Sequence, residues 1–213
     1  MAITELVFPK FKTDEESVET LKRDGPKIRK SVFKHTPGFV NAYSGRIVHE
    51  DETDVRTDSK PIEILEWVDE ASFHTFVNSE RLAAFQASMK SLAVGPPTLQ
   101  LFETTHSPDE VATMSVVEII RVSVVDTDDA STVQKTWKDI AHILADRYEG
   151  KGFVSYGKSL NLANEATVGI IGWASLDDRA AISQDIELAQ ELKSLRLFGK
   201  LSQIIVEVSP VEL

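Results

Sequence analysis

Two segments of this chain follow the same plan, and they constrain the fold more than any other feature. Residues 62–85 read IEILEWVDEASFHTFVNSERLAAF, and residues 167–189 read TVGIIGWASLDDRAAISQDIELA. Each begins with an apolar run of strand length that ends in a tryptophan, Trp67 or Trp173. Each continues through an acidic turn into apolar residues at helical spacing. The sequence therefore predicts a strand–turn–helix unit that the chain uses twice.

The elements predicted around these segments come in the same order in both halves. The predicted strands cover residues 3–11, 39–48, 61–68 and 98–104, then 113–125, 153–160, 167–174 and 201–208. A helix is predicted after the first and third strand of each half, which gives the order of the ferredoxin-like, split-βαβ unit. The triplet Gly-Phe-Val at Gly38 and again at Gly152 supports the match. Two tandem βαββαβ units, residues 1–106 and 111–213, are predicted.

Local signals predict where the helices begin and break. Thr13-Asp-Glu-Glu has the form of a capping box, and Gly25-Pro26 predicts a kink or break in the helix that follows. Asp69 and Asp177 predict caps for single helices that run to about residues 92 and 197. The acidic connector 49–60 predicts a solvated loop, because its carboxylates are consecutive and not spaced as in a calcium loop.

Composition excludes several classes of function. The formal net charge is −11 and no basic stripe is present, so a nucleic-acid partner is not expected. The absence of cysteine excludes disulfides, thiolate nucleophiles and Cys-ligated metal sites. No apolar run approaches the roughly 20 residues of a membrane span, and the N-terminus lacks the pattern of a signal peptide. A cytoplasmic protein with no membrane partner is predicted.

With Leu65-Glu-Trp67, Glu70-Ala71 and Ser79, the first half resembles the antibiotic biosynthesis monooxygenase family of dimeric α+β barrels. The resemblance implies two ferredoxin-like units packed sheet against sheet, here within one chain, so an α+β fold with an intrachain α+β barrel is expected. It also implies an association of two copies, since these proteins are usually homodimers. Members that oxidise anthrones or quinols use no metal or flavin, so no cofactor is expected.

The resemblance does not supply a catalytic histidine. Many members of the family carry a histidine nine positions after the tryptophan, where this chain has Phe76 and Ile182. His74 lies two positions away, about 200° around a helix. Its position in the first turns of a helix disfavours the charged imidazole, which suits a neutral base.

A site for such chemistry needs an apolar pocket, a polar group that lowers the pKa of the substrate, and exclusion of water. In this fold the pocket is expected between each sheet face and its two helices. The candidate catalytic residues are His74, Tyr43 and His142. The candidate substrate-binding residues are Asn41, Trp67, Phe76, Phe85, Trp137, Tyr156 and Trp173. No metal-binding residue is predicted.

Three functions remain open at this point. The leading one is a cofactor-independent monooxygenase acting on an aromatic or polyketide-like, hydrophobic small molecule. The second is a non-redox cyclase or isomerase of secondary metabolism, in which one acid or base moves a proton in the same kind of pocket. The third is a non-catalytic ligand-binding or stress-associated protein whose pockets are filled by side chains. The second half, with Ile182 and fewer aromatic residues on its last helix, is expected to be the structural one.

Overall fold

Nine strands and seven α-helices are found along the part of the chain that the structure describes. The computed structural model describes residues 1–51, 53–58, 60–114, 116–162 and 166–212. In chain order the elements are β1 (Ala2–Phe8), α1 (Glu15–Phe33), β2 (Phe39–Glu50), β3 (Thr53–Asp54), β4 (Pro61–Trp67), α2 (Glu70–Val77), α3 (Glu80–Met89), β5 (Thr98–Thr104), α4 (Pro108–Ala112), β6 (Val116–Val124), α5 (Ala130–Arg147), β7 (Gly152–Ser159), β8 (Ala166–Trp173), α6 (Leu176–Ile182), α7 (Ile186–Ser194) and β9 (Gly199–Pro210).

Eight of these strands close into one antiparallel barrel. Around the barrel the order is β2-β4-β1-β5-β7-β8-β6-β9, and β9 pairs with β2 to close the ring. The short strand β3 only extends the edge of β2. If the four barrel strands of each half are numbered along the chain, they lie in the order 2-3-1-4 in both halves. The halves join where β5 pairs with β7 and β9 pairs with β2. The prediction of an α+β barrel within one chain is confirmed.

Side chains alternate between the inside of the barrel and the helices that cover it, as expected for strands. Inside, apolar residues of both halves form one cluster that includes Leu6, Ile64, Ile119 and Ile170. Outside, one cluster lies under the helices of the first half and another under those of the second. The barrel interior is therefore packed, and any large cavity has to lie between the sheet and the helices.

The pairing of strands allows positions in the two halves to be matched. Ile3 on β1 lies opposite Trp67 on β4, and Val116 on β6 lies opposite Trp173 on β8. The match based on Gly-Phe-Val is wrong in register, because Phe39 lies opposite Trp67 and is followed by a β-bulge, whereas Gly152 itself lies opposite Trp173. The division into two domains at residues 106–111 stays a prediction.

The helices differ from the predictions where a capping side chain acts. Asp14, not Thr13, caps α1 by accepting from the Ser17 amide. Helix α1 does not break at Gly25-Pro26 but continues to Phe33. Buried residues before and after the pair anchor the helix on the sheet, which overrides the local preference.

The second helix of each half is split in two. Asp69 caps α2 as predicted, but Ser79 then caps a separate helix, α3. In the second half the cap is Ser175 instead of Asp177, and Asp185 starts α7. Serine and aspartate accept hydrogen bonds from amides at new helix starts, and this divides an otherwise continuous apolar pattern.

The acidic connector is more structured than a solvated loop. Strand β2 extends to Glu50, and Val55 is buried against the barrel cluster. The predicted loop also includes Glu52 and Ser59, which lie outside the described residues. Over the part of the chain that is described, every helix is too short or too polar to cross a membrane.

Candidate functional site

A cavity of about 710 Å³ lies in the first half, between the outer face of the sheet and the helices. This is within the usual range for small-molecule sites. Its walls come from β1, β4 and β5 on one side and α1, α2 and α3 on the other. The walls are mainly apolar and include Val7, Phe33, Leu65, Phe76, Phe85 and Leu99.

Two chain segments cover one end of this cavity. The segment after β1 pairs with the segment after α3 through Phe11 and Ala93. Two backbone hydrogen bonds hold the pair: the Lys12 amide donates to the Leu92 carbonyl, and the Val94 amide donates to the Lys10 carbonyl, both at 2.8 Å. Paired backbone, and not a side chain alone, therefore covers this end of the cavity.

Glu5 is the polar group that stands out in the cavity wall. It lies on β1 between Ile3 and Val7, so its side chain points to the helix-covered face. The residue is only 3% exposed, and among the described residues its carboxylate accepts one hydrogen bond, from Trp67 Nε1 to Glu5 Oε2 at 2.8 Å. Burial raises the pKa of the Glu5 carboxyl from 4.5 to about 7, an effect that the Trp67 hydrogen bond opposes only in part.

The indole of Trp67 is held rigidly by other aromatic rings. Phe39 and Phe73 meet it edge to face with ring centroids 5.5 Å and 6.1 Å away, and Phe76 lies at 5.1 Å. Such contacts stabilise one ring orientation. Trp67 therefore points its N–H at Glu5 without touching the cavity itself.

A second carboxylate, Glu63, lines the same cavity beside Arg29. Arg29 Nη1 lies 2.7 Å from Glu63 Oε1, and the Ser44 hydroxyl donates to the same oxygen at 3.2 Å. Burial raises the pKa of Glu63, and Arg29 offsets this only partly. Glu63 lies opposite Val7, whereas Glu5 lies opposite Leu65, so the two glutamates are diagonal neighbours on one sheet face.

The second half contains the same glutamate–tryptophan pair, but there an arginine neutralises the charge of the glutamate. Trp173 Nε1 donates to Glu118 Oε2 at 2.8 Å, matching Trp67 and Glu5. Arg179 adds two bonds to Glu118, at 3.0 Å and 2.8 Å, and Gln203 donates a further one. Glu118 thus forms a buried ion pair with a cation from α6.

The partners of Glu118 have no polar counterpart in the first half. Arg179 is four residues after the cap of α6, and the residue four after the cap of α2 is Phe73. Gln203 is two residues before Ile205, which lies opposite Glu118, and the matching residue is Leu99, two before Leu101 opposite Glu5. Glu5 is therefore not paired with a cation. Leu99, which lines the cavity, takes the place that Gln203 has beside Glu118 in the second half.

Among the described residues, a side chain occupies the place in the second half that matches the cavity. Glu63 matches Gly169, since each lies four residues before the strand-end tryptophan. A Cβ at Gly169 would lie 2.1 Å from the Trp137 ring, so the indole covers the strand there. Trp137 is fully buried in the cluster of the second half. A tryptophan thus fills the space that in the first half is hollow.

The structure places the predicted substrate-binding residues in three different regions. Phe76 and Phe85 line the cavity. Trp67 lies behind the cavity wall and donates a hydrogen bond to Glu5, which lines the cavity. Trp137, Tyr156 and Trp173 belong to the cluster under the helices of the second half, and Asn41 faces the barrel interior and donates to Glu66 at 3.1 Å. Only part of the predicted set is therefore brought together.

The three predicted catalytic residues lie outside the cavity. His74 is exposed on α2, with its Nε2 3.3 Å from Glu70 Oε1, and His142 is exposed on α5. Tyr43 lies in the barrel interior, where its hydroxyl donates to Asp109 on α4. Burial and this hydrogen bond raise the pKa of Tyr43, which keeps the phenol neutral. Roles for these residues in catalysis stay predictions.

Sequence reasoning did not find Glu5, Glu63 or Arg29. One signal was available: Glu5 and Glu118 each interrupt the apolar face of the first strand of a half. Among the described residues, no group of three or more His, Asp or Glu side chains is arranged to hold a metal ion.

No family model matches the chain, and no curated protein matches it. Solved structures do share its fold over nearly the whole chain. An anthrone oxidase-like protein has a TM-score of 0.68 and 13% identity, covering 98% of this chain and 91% of that one. A candidate monooxygenase from Lactobacillus acidophilus NCFM has a TM-score of 0.63 and 11% identity, covering 98% and 96%. A mutant chlorite dismutase from Candidatus Nitrospira defluvii has a TM-score of 0.56 and 11% identity, covering 98% and 92%. At these identities the comparisons show the fold alone.

Proposed function

We propose that the cavity of the first half is the active site of a cofactor-independent monooxygenase, and that Glu5 is its general base. The observation that carries this proposal is a buried carboxyl with a pKa of about 7 in the wall of an apolar cavity, with no cation beside it. A base with a pKa near the working pH combines a useful charged fraction with the ability to accept a proton.

The substrate class follows from the shape and chemistry of the cavity. Phe33, Phe76 and Phe85 offer ring faces and edges to a flat apolar molecule. A substrate with an acidic O–H or C–H group near Glu5 would become an anion in a site with little water. The guanidinium of Arg29 lines the same cavity and would stabilise the anion. The anthrone oxidase-like protein of the same fold makes anthrones the first compounds to test.

For an anthrone, the proposed reaction converts a CH₂ group and O₂ into a C=O group and one water. Glu5 removes one C–H proton, and the carbanion donates an electron pair to O₂, forming a C–O bond. The peroxide anion then takes the proton back from Glu5 and becomes a hydroperoxide. Removal of the second C–H proton breaks the O–O bond and releases hydroxide, which leaves as water with that proton. Glu5 therefore acts twice in one turnover.

The test is oxygen consumption by the full chain with a panel of hydroxylated anthrones and quinols. Glu5→Gln should lower kcat/KM by about 10²-fold or more, whereas Glu66→Gln, a buried glutamate outside the cavity, should stay near wild type. For the wild type, kcat/KM should rise with pH to a plateau above about 7, because only the Glu5 carboxylate accepts a proton. Full activity in Glu5→Gln would refute the role of Glu5, and no turnover of any compound would count against the oxygenase.

A second candidate, a cyclase or isomerase, is favoured by the presence of two carboxyl groups on one cavity wall. Burial raises the pKa of both Glu5 and Glu63. One could donate a proton while the other accepts one, which is the usual arrangement for moving a proton across a substrate. Product formation under anaerobic conditions, abolished in Glu5→Gln, would support this reaction over oxygenation.

A further inference from the structure

Helix α1 has an unfavourable residue pair in its middle, at the wall of the cavity. Gly25 and Pro26 are the two residue types least favourable to a helix interior, yet α1 continues through both. Gly25 lines the cavity, whereas Pro26 is exposed. Gly25 avoids the clash of a Cβ with the Pro26 ring, and it also leaves the helix surface bare where α1 faces the cavity.

Packing against the other elements of the fold does not explain the glycine. At Gly45 and Gly169 a Cβ would lie within 2.5 Å of a neighbouring side chain, so those glycines are needed for packing. Gly25 is also buried, but apart from its two chain neighbours and the backbone of its own helix no atom lies within 4 Å of a Cβ built there, and its backbone is helical. The space in front of Gly25 is the cavity itself, so any side chain at this position would take volume from the ligand.

We infer that Gly25 determines ligand size: the bare backbone of α1 lets an extended ligand lie against the helix. This inference rests on the proposed function only in taking the cavity as the substrate site. Arg29 lies one helical turn after Gly25 and pairs with Glu63 on the sheet. A ligand whose reacting end is at Glu5 would reach Gly25 only if it extends beyond Arg29. The ligand is therefore longer than a single ring.

The experiment compares Gly25→Ala and Gly25→Leu with the wild type, using Lys27→Leu as the control. Lys27 is exposed on the same helix and outside the cavity wall. Binding of a three-ring hydroxylated anthrone and of one-ring hydroquinone is measured by calorimetry without oxygen. The anthrone should bind about 10-fold more weakly to Gly25→Ala and about 100-fold more weakly to Gly25→Leu. Hydroquinone binding should change less than about twofold in either variant, and Lys27→Leu should leave both ligands unaffected.

The melting temperature separates this role from a structural one. Gly25→Ala should leave the chain folded with a Tm close to that of the wild type, because the helix preference of alanine is opposed by contact of its Cβ with the Pro26 ring, while it weakens anthrone binding. Equal weakening of both ligands, or unchanged anthrone binding in a folded Gly25→Leu, would overturn the inference, as would a wild type that binds neither compound. If the wild type binds anthrone in the predicted pattern but consumes no oxygen, the role of Gly25 is supported while the oxygenase proposal fails.

Discussion

The Glu5 side chain holds its proton in the folded chain over a pH range in which an exposed glutamate has lost it. Because its pKa is raised from 4.5 to about 7, the folded state binds more protons than the unfolded state between these values. The contribution of Glu5 to the free energy of unfolding should therefore be most favourable below pH 4.5 and fall as the pH rises to about 7. A shift of this size corresponds to about 3 kcal/mol at most. Glu5→Gln should remove this slope and be more stable than the wild type at pH 8, but not at pH 4.5.

Urea denaturation at a series of pH values measures this difference, and Asp185 provides a control of opposite sign. Hydrogen bonds from the Leu188 amide and the Tyr148 hydroxyl lower the pKa of Asp185 to about 2. Its contribution is present above pH 3.8 and is lost as the pH falls towards 2. Asp185→Asn should therefore lose stability relative to the wild type at neutral pH. A stability difference between Glu5→Gln and wild type that does not change with pH would contradict the burial of a protonated Glu5.

At this scale the sequence could predict that Glu5 faces the helices, but not that it lies beside Trp67. Period-two alternation places Glu5 with Ile3 and Val7 on one face of the strand. The contact with Trp67 depends on the register between β1 and β4, which local patterns do not define. The prediction of His74 and His142 as catalytic residues rests on the acid–base chemistry of imidazole. Their spacing in the sequence does not indicate that both side chains are exposed.

At the scale of elements, α2 and α6 occupy matching positions in the two halves, but only α6 supplies a cation to the glutamate beneath it. Arg179 on α6 neutralises Glu118, which is 2% exposed. Arg179→Met should leave a buried carboxylate without a cation and lower the free energy of unfolding by about 3–5 kcal/mol. Adding Glu118→Gln to the same chain should restore most of the loss, because the uncompensated charge is gone.

The four chains of this double-mutant cycle are compared by urea denaturation. Phe73→Met, at the matching place on α2, is the control and should cost less, since it removes only packing around Trp67. A loss below about 1 kcal/mol in Arg179→Met would show that water reaches Glu118 and that the ion pair is not structural.

The sequence could predict helix starts where a capping side chain follows a turn, as at Asp69. It could not predict that Ser79 caps a separate helix, α3, because Ser79 lies within a stretch whose apolar spacing continues. The continuation of α1 through Pro26 was also beyond local reasoning, because tertiary packing holds the helix on both sides.

At the scale of the whole molecule, element order predicted the strand order of each half but not the seams between halves. The pairing of β5 with β7 and of β2 with β9 joins strands that are distant in sequence, and neither periodicity nor turn residues specify it. The resemblance to two-unit barrels supplied that step. The resemblance could not indicate that the cavity lies in the first half, because this depends on single residues such as Trp137 and Leu99.

Closure of the barrel predicts that neither half is stable alone. A chain of residues 1–106 would expose the interior face of its sheet, including Leu6, Ile64 and Phe102, and would leave β2 and β5 as open edges. Such edges and apolar faces favour association, and a domain of this size has a marginal core. We expect fragments 1–106 and 107–213, expressed separately, to be unfolded or self-associated in sedimentation and circular dichroism. Mixed in equal amounts, they should form a 1:1 complex with the sedimentation and cooperative unfolding of the intact chain, because β5–β7 and β2–β9 re-form. If fragment 1–106 were instead a folded monomer with a cooperative transition, the halves would be independent domains, and the shared interior would contribute little to stability.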